Sequence, residues 1–362
     1  MTFSFRKILT LALAITFPAS ALMAQDAGPS LSEIVDAWLK SPHADRASEA
    51  FVHWNEDGEI PGTCAVCHSG LGNAEYVAGE MATIGRIDHP VPLGATVDCA
   101  TCHNSAAAAL QSVPLPSGAM VENSGASAIC TVCHQGRSWT GSVEAAVEGL
   151  EDDTVSAELG FVNVHYAASA ATLMGGAGRG GYEYAGKTYK GQFTHVPQLN
   201  TCTACHSPHT TEVALEGCTT CHKGAERFTD IRISPVDFDG DGNTAEGIAD
   251  PIAALHGRLG AAIARYGSEL LGAPIIYAEA SYPYFFNDTG ADGVISEGEA
   301  AFPNRFQSWT PRLLRAAYNY QYVAKDKGAF THNPHYVLQL LYDSLESLSE
   351  RVEVDISDLT RP

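Results

Sequence analysis

The chain has 362 residues, 42 of them acidic and 21 basic, for a formal net charge of −21 at neutral pH. A surface this acidic repels phosphate backbones and argues against a nucleic-acid partner, while it suits a soluble chain that meets basic proteins. The length exceeds one typical domain and predicts two.

Residues 1–24 read as a secretory signal. Arg6 and Lys7 supply the positive start and Ile8 to Phe17 a short apolar core, with cleavage expected after Ala21 or Ala24. The apolar run is too short to span a bilayer, so no transmembrane segment remains after cleavage. Removing the signal takes two bases and no acid, so the charge becomes 19 − 42 = −23. Export places the protein in the periplasm or at the cell exterior. Short helices are predicted at 31–40, 47–54 and 105–110, separated by loops rich in Gly, Pro, Ser and Asn.

All ten cysteines fall in five copies of one pattern. They are Cys64-Ala65-Val66-Cys67-His68, Cys99-Ala100-Thr101-Cys102-His103, Cys130-Thr131-Val132-Cys133-His134, Cys202-Thr203-Ala204-Cys205-His206 and Cys218-Thr219-Thr220-Cys221-His222. Cys-x-x-Cys-His is the attachment signature of c-type haem. The two thiols form thioethers with the vinyl groups on one edge of the macrocycle, and the next imidazole comes under the iron as proximal ligand. Zinc knuckles and redox dithiols also use Cys-x-x-Cys, but neither calls for histidine after every second cysteine. No cysteine is left for a disulfide. Five covalently held c-type haems are expected.

A macrocycle presents more apolar surface than any side chain, so little polypeptide core is needed around it. The predicted fold is therefore mainly α with much irregular loop. A multihaem domain at 25–224, with a haem-built core and one small β-hairpin, precedes a haem-free helical domain at 225–362. The hairpin is placed at Tyr182–Phe193, around Ala185-Gly186. Gly181 to Thr188 matches the P-loop expression there, but bulky β-prone residues fill it and no helix pattern follows, so nucleotide binding is set aside.

Nine histidines lie outside the motifs and compete to ligate the far side of five irons. His43, His53, His165, His195 and His209 are the distal candidates, with His89 in reserve. His209 follows His206 by three residues, too close to reach the opposite face of the same haem, and should ligate a neighbour. His256 lies in a helical stripe and reads as packing. His332 and His335 flank a helix start and rank behind the others.

The region after 225 has chemistry of its own. Asp237, Asp239 and Asp241 occupy positions 1, 3 and 5 of a calcium-type loop with glycine at 6; position 12 is Ile248, but Glu246 is near. Asp288, Asp292, Ser296 and Glu299 keep positions 1, 5, 9 and 12 of a second such loop. Plain Asx-Gly turns are the alternative reading of both. One helix is predicted from the stripe Ile252, Leu255, Leu259, Ile263, Tyr266 and Leu270. Two more are predicted after the caps Thr310-Pro311 and Asn333-Pro334. Extended segments are expected at 273–277 and 282–286.

The segment Phe51 to Trp54 precedes the first motif, and His165-Tyr166 lies upstream of Gly181 to Tyr184. With Cys205 to Thr210 and Trp309 to Leu313, these stretches resemble bacterial exported multihaem cytochromes c. The resemblance covers most of the mature chain and implies bis-histidine electron-transfer haems stacked in a chain, without implying a substrate. The ammonia-forming nitrite reductases differ in using a Cys-x-x-Cys-Lys motif, which is missing here. The expected role is an electron relay between a membrane quinol-linked donor and a terminal reductase or an extracellular acceptor. A haem-dependent reductase of a small nitrogen or sulfur oxyanion is the alternative from another class. A homo-oligomeric filament with haem contacts across subunits is a structural variant of the relay.

Overall fold

The computed structural model describes residues 28–362, apart from 123–124 and Ile233. The expected signal at 1–24 lies outside the described residues.

Side-chain caps set the limits of the early helices. Ser30 accepts from Glu33 N at 3.4 Å, and Glu33 accepts in return from Ser30 N at 2.7 Å, opening α1 (Leu31–Leu39). The single turn α2 (Glu49–Val52) buries Phe51. Strand β1 (Glu59–Ile60) pairs antiparallel with β2 (Val91–Pro92) and encloses α3 (Gly62–His68) and α4 (Gly70–Ala78). Asp98 caps α5 (Cys99–Cys102) and Asn104 caps α6 (Ser105–Ala109). The hairpin β3 (Val113–Pro114) and β4 (Met120–Val121) precedes α7 (Ala128–Cys133), α8 (Thr140–Val147), α9 (Ser169–Met174), α10 (Cys202–Cys205) and α11 (Glu216–Thr219).

The later elements are longer and more regular. Helix α12 (Ala249–Arg265) carries the expected stripe inward and continues into a π-helical turn at Tyr266–Leu270. Strands β5 (Ile275–Tyr277) and β6 (Phe285–Asn287) form an antiparallel pair. Thr310 and Asn333 cap α13 (Pro311–Lys325) and α15 (Pro334–Ser349), each with proline at the first helical position, and the short α14 (Ala329–His332) lies between. Proline suits that position because its missing N–H would be unpaired anyway.

The packing does not divide at residue 224. The large core joins Leu255, Leu259, Leu313, Leu341 and Leu345 to Val143, Val147, Leu159, Val164 and Tyr182 from far upstream. Three smaller apolar clusters serve the motif-bearing segments, the largest formed by Val66, Tyr76, Val77, Val113, Ala128 and Val132. The segment 143–189 thus belongs structurally with the C-terminal helices. Their long apolar faces need a cover, and fully burying one aliphatic or aromatic side chain contributes about 1.5–3 kcal/mol.

The predicted hairpin at 182–193 is not a hairpin. The turn at Ala185-Gly186 forms, but the arms pair with side chains instead of each other. Asn319 of α13 donates to Tyr182 O at 2.9 Å and accepts from Tyr182 N at 2.7 Å, taking the place of a partner strand. Gly181 N donates to the Tyr336 hydroxyl at 3.1 Å, and Thr140 donates to Gly181 O at 2.7 Å. A Cβ on Gly181 would meet Leu340 at 2.2 Å, so this glycine lets the segment lie on α15. No helix follows it, as a phosphate loop would require.

Candidate haem-binding sites

Four of the five motifs are built on one helical turn, and the fifth begins on α11, with Cys221 and His222 beyond its end. The two cysteines of α3, α5, α7 and α10 lie three residues apart on one helix face, which aims both thiols the same way. The backbone N–H of His103, His134, His206 and His222 donates to the carbonyl of the first cysteine of its motif, at 2.8, 3.0, 2.8 and 2.9 Å. That bond brings each imidazole round to the thiol face. None of the ten cysteines is paired in a disulfide. Among the described residues, the one group of three or more Cys, His, Asp or Glu ligands gathered within 4.8 Å is Asp237, Asp239 and Asp241. Thiol pairs on one face with an adjacent imidazole are the donor set that a covalently attached macrocycle takes.

Four motif histidines face a second imidazole. The ring centroids of His68 and His165 are 5.8 Å apart, and those of His195 and His222 6.1 Å. His43 with His134, and His103 with His209, both stand at 6.2 Å. Two imidazoles that share one iron place their centroids about 6 Å apart, because each Fe–N bond is about 2 Å and each nitrogen lies about 1 Å from its ring centre. The observed spacings fit that geometry. His209 faces the second motif, not its own.

The protonation state also fits ligation, which requires neutral imidazole. Burial pushes His134 down to about 4, helped by His43 and His206. Burial likewise takes His165 to about 4, with His68 adding to the effect. His43 and His68 are lowered by burial too. His68 Nδ1 donates to Ala50 O at 2.8 Å and His206 Nδ1 to Thr211 O at 3.1 Å. A carbonyl can only accept, so these bonds fix the tautomer that leaves Nε2 free for iron.

The five motifs are neighbours in an order that the chain does not follow. The Sγ of Cys67 lies 3.9 Å from Val132 O, and that of Cys133 3.7 Å from Val66 O, so the first and third motifs clasp each other. Cys202 N of the fourth motif donates to Ser127 Oγ at 2.8 Å, at the start of α7, which carries the third motif. Cys102 of the second motif lies within electrostatic reach of both Cys130 and Cys133. Cys205 stands in the same relation to Cys218 of the fifth. The third motif thus adjoins the first and the fourth.

Two distal candidates are engaged elsewhere. His53 is exposed, pairs with Glu49 at 2.7 Å and packs edge-on against Trp54, whose indole in turn meets His68. His89 uses one nitrogen on Pro90 O at 3.0 Å and the other on Glu75 at 2.7 Å. His256 stacks on Tyr320 at 4.0 Å, and His335 lies against Phe238. His332 differs: its Nδ1 is held by the buried Asp326 at 2.8 Å, and its ring lies within electrostatic reach of Cys202. Nothing in the sequence around His332 distinguishes it from the other tail histidines.

The two acidic loops behave differently. Asp237 accepts from Gly240 N at 2.7 Å and Gly242 N at 2.8 Å, and these bonds hold its carboxyl below the usual range. Asp239 is only 5% exposed and one of its oxygens has no hydrogen-bond partner. Burial, then the charge of Asp241, raises its carboxyl. Glu246 is raised by burial and then by Asp239 and Asp241, and it reaches Arg232 at 3.4 Å. In the second loop the backbone consumes the carboxylates. Glu299 accepts from Thr289 Oγ1 at 2.6 Å, Thr289 N at 2.8 Å and Ser296 N at 2.7 Å, which takes it down to about 2. Asp288 accepts from Gly293 N at 2.8 Å and Asp292 from Val294 N at 2.9 Å. Asp288, Asp292 and Glu299 do not gather into a cation-sized group among the described residues.

Among known proteins, the chain is 26% identical over 394 residues to the C-type polyheme cytochrome OmcB of Geobacter sulfurreducens, covering 88% of this chain and 48% of that protein. It is 26% identical over 395 residues to the C-type polyheme cytochrome OmcC of the same organism, covering 88% of this chain and 47% of the other. The chain spans about half the length of the curated relatives it matches. No family model and no solved structure matches. The likeness supports a multihaem cytochrome c. No helix among the described residues is long and apolar enough to cross a membrane.

Proposed function

We propose that this protein is an exported electron-transfer cytochrome that relays electrons through five bis-histidine c-type haems in the periplasm or at the cell exterior. The observation that carries the reading is the facing of four motif histidines by four others at 5.8–6.2 Å. An iron with both axial positions filled by imidazole has no site for a substrate and changes little on reduction, which suits transfer over catalysis. The haems would supply the one-electron chemistry when bound; the chain's cysteines and histidines would hold them and set their spacing. With haem bound, the third motif would hold its haem between those of the first and the fourth, whose motifs it adjoins. A membrane quinol-linked donor and a terminal reductase or extracellular acceptor are the partners proposed. The acidic surface favours a basic docking face on each. The orphan oxygen of Asp239 supports calcium at Asp237, Asp239 and Asp241, with Glu246 adjacent. The test is EPR spectroscopy of the oxidised holoprotein with a potentiometric titration. Low-spin signals alone and several one-electron waves at low potential are expected. A stoichiometric high-spin signal that shifts on adding nitrite or sulfite would favour the reductase instead.

A further inference from the structure

The segment that carries His165 forms neither helix nor strand, and two of its residues lie in the left-handed region, His165 at φ 65° and Ala167 at φ 54°. Such backbone persists only where its surroundings determine it. We propose that a clasp of Tyr166, Tyr284 and Lys325 holds the His165 imidazole across that of His68, the three acting as positioning residues for the first haem. The proposal rests on the bis-histidine reading above and deepens it, from which residue ligates to the plane in which that ligand lies.

The chain is gripped on both sides of His165. Before it, the buried Val164 donates its N–H to Gln321 Oε1 at 3.0 Å and accepts at its carbonyl from Arg137 N at 3.0 Å. After it, the Tyr166 hydroxyl is hydrogen-bonded to that of Tyr284. Lys325 Nζ stands over both rings, 4.9 Å from the centre of Tyr166 and 4.4 Å from that of Tyr284. Gln321 and Lys325 are four residues apart on α13 and so share one of its faces. A single helix face thus holds the residue before the imidazole and the residue after it.

The parts of the clasp are themselves anchored. Tyr284 is 1% exposed and sits at φ 77°, a conformation that a bulky side chain rarely adopts. Its N–H donates to Ser281 O at 2.7 Å and its carbonyl accepts from Ala278 N at 2.7 Å, which fix it there. Lys325 Nζ donates to Glu279 O at 3.1 Å. Tyr166 is 46% exposed and buries too little to fix itself, so its place depends on the other two. Its ring lies 4.9 Å from that of His165, so pinning the tyrosine limits how far the imidazole can turn.

The result is legible in the ring planes. His68 and His165 cross at 75°, whereas His103 and His209, at a similar spacing, cross at only 13°. His68 is fixed from its own side by its bond to Ala50 O and by Trp54, whose ring is 5.1 Å away. Groups behind a ligating imidazole set its orientation. Crossed imidazole planes bring two orbitals of a ferric low-spin iron close in energy and give a strongly anisotropic EPR signal. Parallel planes separate those orbitals and give an ordinary rhombic one. The first and second haems should therefore differ in spectrum although their ligands are the same.

The test uses the full holoprotein, oxidised, with EPR spectroscopy. The wild type should show a strongly anisotropic low-spin signal, which His165→Ala should abolish. Tyr284→Phe, which removes one oxygen, should keep five low-spin haems and move that signal toward the rhombic type. Tyr166→Phe should do the same, and the two together should do no more than either alone. Lys325→Met should move the signal in the same direction, and Lys325→Arg, which keeps a cation over the rings, should restore it. Tyr282→Phe is the control: this tyrosine packs on Tyr284 at 5.9 Å but is 62% exposed, and its loss should leave the spectrum as it was. Should Tyr284→Phe fail to assemble, Tyr166→Phe decides, because its ring is at the surface. An anisotropic signal unmoved by Tyr166→Phe, or absent from an all-low-spin wild type, overturns the clasp and leaves the bis-histidine reading standing. A high-spin haem in the wild type overturns the reading of five bis-histidine irons, and the clasp falls with it if His165→Ala changes nothing.

Discussion

The rings of His68 and His165 stand 5.8 Å apart, although two further motifs separate them in the chain. His165 reaches this position with a φ of 65°, in the left-handed region that a side chain occupies at a cost of about 1 kcal/mol. Asn163 steadies it by accepting from His165 N at 3.0 Å, and Gln321 of α13 accepts from Val164 N at 3.0 Å. The long helix thus helps to aim a residue at the first motif. His165→Ala is expected to produce one high-spin haem in five by EPR with the haem count unchanged. A fully low-spin spectrum in that variant would show that His165 is not a ligand.

Haem stoichiometry follows from the motifs themselves. Mass spectrometry of the acid-treated chain should find five haem masses, and the double replacement Cys130→Ser with Cys133→Ser should find four. Because the third motif adjoins the first and the fourth, that variant should also slow electron exchange between the first and fifth haems in stopped-flow reduction. Four haems in the wild type would mean that one motif is idle.

Calcium should matter at the first acidic loop and not at the second. Asp237, Asp239 and Asp241 crowd their charges, and one buried oxygen of Asp239 is unpaired, whereas Glu299 is already satisfied by the backbone around it. A ligand that binds only the folded form at a hundredfold excess over its dissociation constant stabilises by about 2.7 kcal/mol. Chelator should therefore lower the melting temperature of the wild type but leave Asp239→Asn unmoved, and Asp292→Asn should behave as the wild type does. An unmoved wild-type melting point would make both loops plain acidic turns.

Arg312 should be a sensitive point for stability. Its guanidinium spans Asp153 at 2.8 Å, Glu350 at 2.7 Å and Ser347 O at 2.7 Å, tying the 152–153 loop to α13 and α15. Removing it leaves Asp153, whose side chain is 16% exposed, with only Arg351 at 2.8 Å and the Tyr266 hydroxyl at 2.7 Å, and leaves Glu350 and Ser347 O without that donor. Arg312→Ala is expected to cost about 2–3 kcal/mol in denaturant unfolding, and Arg312→Lys most of that, because an ammonium cannot bridge three acceptors in a fork.

Glu183 should impose a pH dependence. Burial raises its carboxyl to about 7, against which the Tyr336 hydrogen bond and Arg179 act only in part. Its folded value lies above its unfolded one, so its contribution is present below about pH 4.5 and lost as pH rises through about 7. Glu183→Gln should remove that slope and gain about 1–2 kcal/mol at pH 8, after allowance for solvent screening of a half-buried group. Parallel unfolding curves for the two proteins from pH 5 to 8 would refute this.

Chemistry confined to a few adjacent residues was legible in the sequence. Cys-x-x-Cys-His carries two thiols and an imidazole on one helical turn, and local backbone geometry alone aims them together. The caps at Thr310-Pro311 and Asn333-Pro334 and the stripe of α12 are likewise short-range signals, and those helices form where they were expected. Relations between distant residues were decided by the tertiary structure. His53 is near the first motif in sequence, yet Glu49 and Trp54 hold it, while His165 comes to that motif from beyond the third. Alternation at 182–189 looked like two strands, but the long helices offered Asn319 and Tyr336 as partners first. Likewise the two acidic loops share a pattern, and only the backbone around each determines whether its carboxylates are spent or left facing one another. A pattern states which groups are present; packing determines which of them meet, because burial and hydrogen-bond satisfaction are summed over the whole fold.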